Sequence, residues 1–220
     1  MIKTSDLIAA LAANASPVRR LRPPLARAAM WLLLAFGLFG VLVAGHGLRP
    51  GLAQQLAQPD FVIGIVASLA TGALAAVASF MLNLPDRPRS WAWLPLPALA
   101  VWLVTLGHGC LTHWVDVGPG GIQLGETARC FATVMLTSLP LSIAMFTMLR
   151  NGSLLGPAFV TLTGSLAVAA ISASAMTLFH PLDATVMILA WNLGTAVLIV
   201  GVGFWWGHRL THNDVAAALR

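Results

Sequence analysis

Two cysteines and a group of histidines are the residues in this chain best suited to chemistry. Cys110 and Cys130 lie 20 positions apart, and His108 and His113 flank the first of them. Asp116 and Glu126 fall between the two thiols, His180 and Asp183 lie further on, and His46 is much earlier. Thiolate and imidazole together suit soft or borderline ions such as copper, zinc or cadmium. The same two thiols, facing an oxidising compartment, are able to form a disulfide instead. In the chain-entropy model, closing a loop of about 20 residues restricts the unfolded state by roughly 3 kcal/mol. The spacing matches neither CxxC nor HExxH. A cysteine at the end of an apolar run also serves as a small buried hydrophobe, and a histidine there as a wet polar group.

The elements that position these residues are apolar. Of 220 residues, 58% are hydrophobic and only 9% charged, where a soluble domain carries about a quarter charged residues. The chain therefore reads as an integral membrane protein. Crossing the hydrocarbon core takes about 20 largely apolar residues, and six runs qualify: 28–47, 60–83, 91–111, 128–149, 154–179 and 184–206. Pro95 and Pro97 fall in the first turns of the third run, and Pro140 marks a kink in the fourth. Short connections predict that consecutive helices are antiparallel neighbours. The one roomy loop runs from Thr112 to Thr127. Trp31, Trp91, Trp93, Trp114, Trp205 and Trp206 fall near run ends, where an amphipathic ring suits the headgroup layer.

The Lys and Arg distribution sets an orientation. With the N-terminus inside, Lys3, Arg19, Arg20, Arg22, Arg27, Arg87, Arg89, Arg150, Arg209 and Arg220 share one side and only Arg49 and Arg129 the other. Positive residues stay on the cytoplasmic side. Both termini are thus expected inside, and the thiols and most of the histidines outside. The fold class is all-α: six membrane helices (28–206) preceded by a cytoplasmic segment (1–27) and followed by a short cytoplasmic tail (207–220). The net charge of +5 sits beside apolar runs rather than on a soluble face, so no direct nucleic-acid contact is expected.

Small residues recur every four positions in three runs: Ser68, Gly72 and Ala76; Ser165, Ala169 and Ala173; Gly203 and Gly207. Such spacing lets helix backbones approach closely in lipid, and it serves packing rather than activity. No Asp, Glu, Lys or Arg falls near the centre of any run. An ion-coupled transporter or a proton relay places an ionisable group there. Asn192 is the main polar residue at depth, and an interhelical hydrogen bond is its expected role. A buried acid–base enzyme is disfavoured for the same reason, and no enzymatic activity is expected. A small transporter for a metal or small molecule is the competing reading. A thiol–disulfide enzyme, which would want a closely spaced pair and a second relaying pair, is weaker.

The segment 1–27 carries a different signal. Thr4-Ser5-Asp6 reads as a helix start, because a hydroxyl or carboxylate there accepts a hydrogen bond from a free N–H of the first turn. Leu7, Ile8 and Leu11, with Ala12, recur at helical spacing and form one apolar stripe. Pro17 ends the helix, and Arg19-Arg20-Leu21-Arg22-Pro23-Pro24 follows, basic and stiff. A helix of roughly ten residues is marginal alone in water, so the stripe needs the lipid bilayer surface or a partner protein.

Thr4-Ser5-Asp6-Leu7-Ile8 with Leu11, then Pro17-Val18-Arg19-Arg20-Leu21-Arg22-Pro23-Pro24 ahead of the first run, resembles the opening of the NrsF-like proteins. These are six-helix bacterial inner-membrane negative regulators of extracytoplasmic-function (ECF) sigma factors. The resemblance continues in Cys130 at the outer start of the fourth run, in Ser138-Leu139-Pro140 within it, and in His180-Pro181-Leu182-Asp183 after the fifth. It implies that the cytoplasmic segment holds an ECF sigma factor away from RNA polymerase through Leu7, Ile8, Leu11, Arg19, Arg20 and Arg22. It also implies that outward cysteines receive a metal or oxidant signal and trigger release. Family members usually carry a second cysteine where this chain has His180. Three alternatives stay open at that position: Cys110 replaces it by pairing with Cys130, a Cys130–His180 metal site replaces it, or the chain senses something else. No resident cofactor is expected; a heavy-metal ion bound transiently at the outer face is the one ligand these residues suit.

Overall fold

The computed structural model describes residues 4–13, 22–112, 124–150 and 157–179, together with 198, 201, 202 and 205. Among them the regular structure is all helical. The helices are α1 (Thr4–Ala13), α2 (Pro24–His46), α3 (Leu52–Gln55), α4 (Pro59–Leu82), α5 (Leu96–Thr112), α6 (Leu124–Leu149) and α7 (Pro157–Phe179), with a 3-10 turn at Arg89–Trp93. Among the described residues four stretches are long and apolar enough to cross a membrane: Pro24–Gly45, Pro59–Leu82, Arg89–Gly107 and Ala158–Ala175. In α6 the side chains are described from Met135 on, and the stretch Met135–Leu149 is apolar. The expected sixth run, 184–206, lies outside the described residues except for four helical positions, of which Leu198, Val202 and Trp205 are exposed. The tail 207–220 and the pair Gly203 and Gly207 also lie outside them.

Proline sets several of the helix starts. Pro24 and Pro59 occupy the first turns of α2 and α4, where the missing N–H has no intrahelical acceptor to lose and φ is already helical. Helix α2 therefore begins four residues ahead of the expected run, and Arg27 is inside it. The third run is not one continuous helix. The chain turns through Leu94 and the fully buried Pro95 before α5 begins at Leu96. Pro97 then falls in the first turn of α5, where a proline is tolerated. The loop between α5 and α6 is shorter than expected, because Leu124–Thr127 are already helical. Glu126 thereby falls within the first turn of α6.

The core lies among α2, α4, α6 and α7. Ala28, Trp31, Ala35, Phe39 and Leu42 recur at three and four residues and are the buried face of α2, while Leu33, Leu34, Phe36 and Val41 are exposed. Exposed apolar side chains on the outside of a bundle with a buried inner face are what a lipid-facing surface requires. Trp31 departs from its expected place in the headgroup layer. It is fully buried, since it shares a helical face with Ala28 and Ala35, and its indole N–H donates to the Leu141 carbonyl at 3.1 Å. Trp93, in contrast, is largely exposed.

The most extensive interface joins α4 and α7, which are not consecutive. The small residues meet there. Ser68, Gly72 and Ala76 on α4 are buried, as are Ser165, Ala169 and Ala173 on α7. A side chain at Gly72 would place its Cβ 2.7 Å from Ile171 Cγ1, so glycine is what permits this approach. The hydroxyls of Ser68 and Ser174 are hydrogen-bonded at 2.7 Å across the same interface. Consecutive α2 and α4, α4 and α5, and α6 and α7 pack as neighbours. Among the described residues consecutive α5 and α6 do not share a main interface: α5 lies against α4, and α6 lies against α7 and α2. Helix pairing thus follows complementary small-residue faces as well as chain order.

Candidate functional site

Helix α1 spans Thr4–Ala13 with Asp6 near its N-terminal end, and among the described residues none of the main helix interfaces involves it. Ile8 is 62% exposed, and Thr4, Asp6, Ala9, Ala12 and Ala13 are exposed as well. Leu7 and Leu11 are on the same helix, one turn apart; their side chains, and Arg19 and Arg20, lie outside the described residues. Arg22 is exposed just before α2, with its Nη1 donating to the Met30 sulfur at 3.1 Å. An exposed isoleucine on a short helix outside the packed core is free to meet a partner's groove.

A second set of polar residues meets at the end of the bundle where α2 begins. The side chain of Arg27 is buried, with 5% of the residue exposed. Its Nη2 donates to the Met148 carbonyl at the end of α6, and its guanidinium carbon stands 5.0 Å from the centre of the Phe80 ring. Its Nη1 is buried without a hydrogen-bond partner among the described residues. Asn83, just past α4, donates from Nδ2 to the Leu149 carbonyl at 3.1 Å. The last carbonyls of a helix have no intrahelical donor and carry partial negative charge. A guanidinium and an amide satisfy two of them here. Arg27 and Trp31 are four apart on α2 and reach Met148 and Leu141 on α6, so the two helices run antiparallel and are fastened at two levels. In the sequence Arg27 reads as one more positive charge flanking a run and Asn83 as a run end. The signal that finds Arg27 is its place on the same helical face as Ala28, Trp31 and Ala35.

A family model described as negative regulator of sigma F, NrsF, matches residues 11–212. The chain belongs to the NrsF family. No curated protein and no solved structure matches it. NrsF membership carries with it the role that the family description states, negative regulation of a sigma factor. The match begins at Leu11, so Thr4-Ser5-Asp6-Leu7-Ile8 precedes it, while Leu11, Arg19, Arg20, Arg22, Cys110, Cys130 and His180 fall within it.

In this NrsF-family chain the cysteines are carried by separate helices. Cys110 is in the last turn of α5 and Cys130 in the second turn of α6. Among the described residues those helices share no main interface. The side chains of both cysteines, and His113, Asp116, His180 and Asp183, lie outside the described residues, as does Asn192. Among the described residues no three of His, Cys, Asp and Glu come together as metal ligands. Helix α6 joins the two ends of the molecule. Cys130 is near its start and Met148 near its finish, about 27 Å apart at 1.5 Å per residue.

Proposed function

We propose that this chain is a membrane anti-sigma factor that retains an ECF sigma factor at the bacterial inner membrane. Membership of a family described as negative regulators of sigma F is the observation that carries the reading. The exposed α1 and the basic stretch Arg19-Arg20-Leu21-Arg22 form the cytoplasmic handle: Leu7, Ile8 and Leu11 enter an apolar groove on the sigma factor, and the arginines meet acidic residues around it. Six helices with both termini inside place the handle opposite Cys110, Cys130 and His180, and the lipid bilayer covers the exposed apolar faces of α2, α4 and α5. A soft metal ion or an oxidant acts on Cys130 from outside, and the sigma factor leaves. Such a ligand shifts a two-state equilibrium only by its differential affinity for the two states. It must therefore bind the releasing arrangement more tightly than the holding one.

The experiment is an affinity capture of the detergent-solubilised protein from unstressed cells of its own bacterium, with mass spectrometry of what comes with it. A sigma factor is expected with the intact chain and not with a chain lacking residues 2–25. Its absence from well-folded intact protein would overturn the reading.

The outer end has its own expected result. Cys130→Ser should leave repression intact in unstressed cells and reduce induction by cadmium or peroxide about tenfold or more, as when a thiolate ligand or redox group is lost. A sigma-dependent reporter followed across a dose series measures this. Full induction in Cys130→Ser would remove that thiol from the account.

A further inference from the structure

Among the described helices, α6 is the one with a proline in its interior, Pro140. Proline has no N–H, so the Leu136 carbonyl loses its helical donor there and the helix is easiest to bend at that level. Beyond the proline, the segment Leu141–Leu149 is fastened by three side chains that donate to its backbone carbonyls. Trp31 takes Leu141, Arg27 takes Met148 and Asn83 takes Leu149. Trp31 and Arg27 are on α2, whose first residue follows directly on the arginine-rich stretch.

We propose that Arg27 is the latch of this protein: by clasping the end of α6, with Trp31 and Asn83, it sets the position of the 141–149 half-helix against α2 and so positions the segment that holds the sigma factor. This rests on the anti-sigma reading and names how that site is controlled.

The chemistry suits a contact that both holds and opens. The clasped state has a charge-assisted hydrogen bond and the face of Phe80 under the guanidinium, both favourable. Against them stands a buried Nη1 with no hydrogen-bond partner among the described residues, which is unfavourable for a cationic group. Opening returns that nitrogen to water or to lipid phosphate. The acceptor is a backbone carbonyl, so a displacement of α6 beyond Pro140 moves it whatever side chain position 148 carries. A shift begun at the outer end of α6 reaches this clasp as a bend at Pro140 that moves the 141–149 half-helix against α2.

The test reads the latch and the sigma factor separately in the full chain. Cys110 and Cys130 are replaced by Ser, Met148→Cys is introduced, and the protein in native membrane vesicles is labelled with a membrane-permeant maleimide. Slow labelling is expected. Arg27→Gln in that background should accelerate it about tenfold, the order expected for losing a charge-assisted hydrogen bond, and Arg27→Lys should recover much of the protection. Sigma factor retained per monodisperse, folded molecule should fall together with the protection. It should also fall in Trp31→Phe, which keeps an aromatic ring but loses the N–H donor. A labelling rate unchanged by Arg27→Gln overturns the latch. Faster labelling with undiminished retention per folded molecule overturns its regulatory role, since a contact that served packing alone would lower the yield of folded protein and not the retention. A parent chain that labels slowly yet retains no sigma factor overturns the functional reading beneath the proposal, which is a different result from either.

Discussion

Replacing Leu7 and Leu11 together by Asp is expected to release the sigma factor without disturbing the helical bundle. Buried apolar anchors at protein interfaces are worth about 2 kcal/mol or more each. Two such losses weaken binding by roughly a thousandfold at 1.4 kcal/mol per factor of ten. The introduced carboxylates add a desolvation cost if the groove closes on them. Among the described residues α1 takes part in none of the main helix interfaces and its Ile8 is largely exposed, so the bundle is expected to tolerate the change. Folded yield and thermal transition in detergent should match the parent protein, while a sigma-dependent reporter in unstressed cells rises to the level of a strain lacking the gene. Full repression by well-expressed double variant would show that the handle is elsewhere. Ile8→Asp alone should give an intermediate loss, about a tenth to a hundredth of the parent affinity, since it removes one anchor of three.

The two ends of this molecule were not equally legible in its sequence. Runs of about 20 apolar residues announced α2, α4, α5, α6 and α7, and the start of α1 followed from Thr4-Ser5-Asp6 before the Leu7, Ile8 and Leu11 stripe. What escaped were features that depend on which helices meet. In the sequence Arg27 reads as a positive charge flanking the run that begins at Ala28. Folding supplies it with a carbonyl and an aromatic face from two other helices, and neither is visible in local sequence. Trp31 was assigned to the headgroup layer from its nearness to a run end, whereas its helical register with Ala28 and Ala35 sends it to the core. The break at Leu94 and Pro95 was readable in kind, since prolines stood there, but not in extent. Likewise, the small-residue ladders on α4 and α7 were plain in the sequence, yet nothing local stated that they face each other across an interface between helices far apart in the chain.

That interface carries the second large expected effect. Gly72→Ala places a methyl 2.7 Å from Ile171 Cγ1 and 3.3 Å from the Ile171 backbone nitrogen. The first neighbour is a side chain able to turn or shorten, and the second belongs to the helix axis. The methyl must therefore push α4 and α7 apart, or force Ile171 from its rotamer, at a cost of about 1–3 kcal/mol for overpacking. Separation would also stretch the Ser68–Ser174 hydrogen bond two turns or less away, itself worth about 0.6 kcal/mol in membrane bundles. Gly72→Leu should exceed both figures and prevent assembly, seen as loss of monodisperse protein from the membrane fraction. The discriminating variant is Gly72→Ala combined with Ile171→Ala. It removes the two side-chain atoms nearest the new methyl while leaving the backbone contact, so it should recover much of the lost thermal stability but not all of it. Residues in contact show interaction energies of about 0.5–3 kcal/mol in such cycles. Strict additivity of the two single changes would mean that α4 and α7 do not approach at Gly72, and the close packing on which the rest of the bundle is built would be wrong.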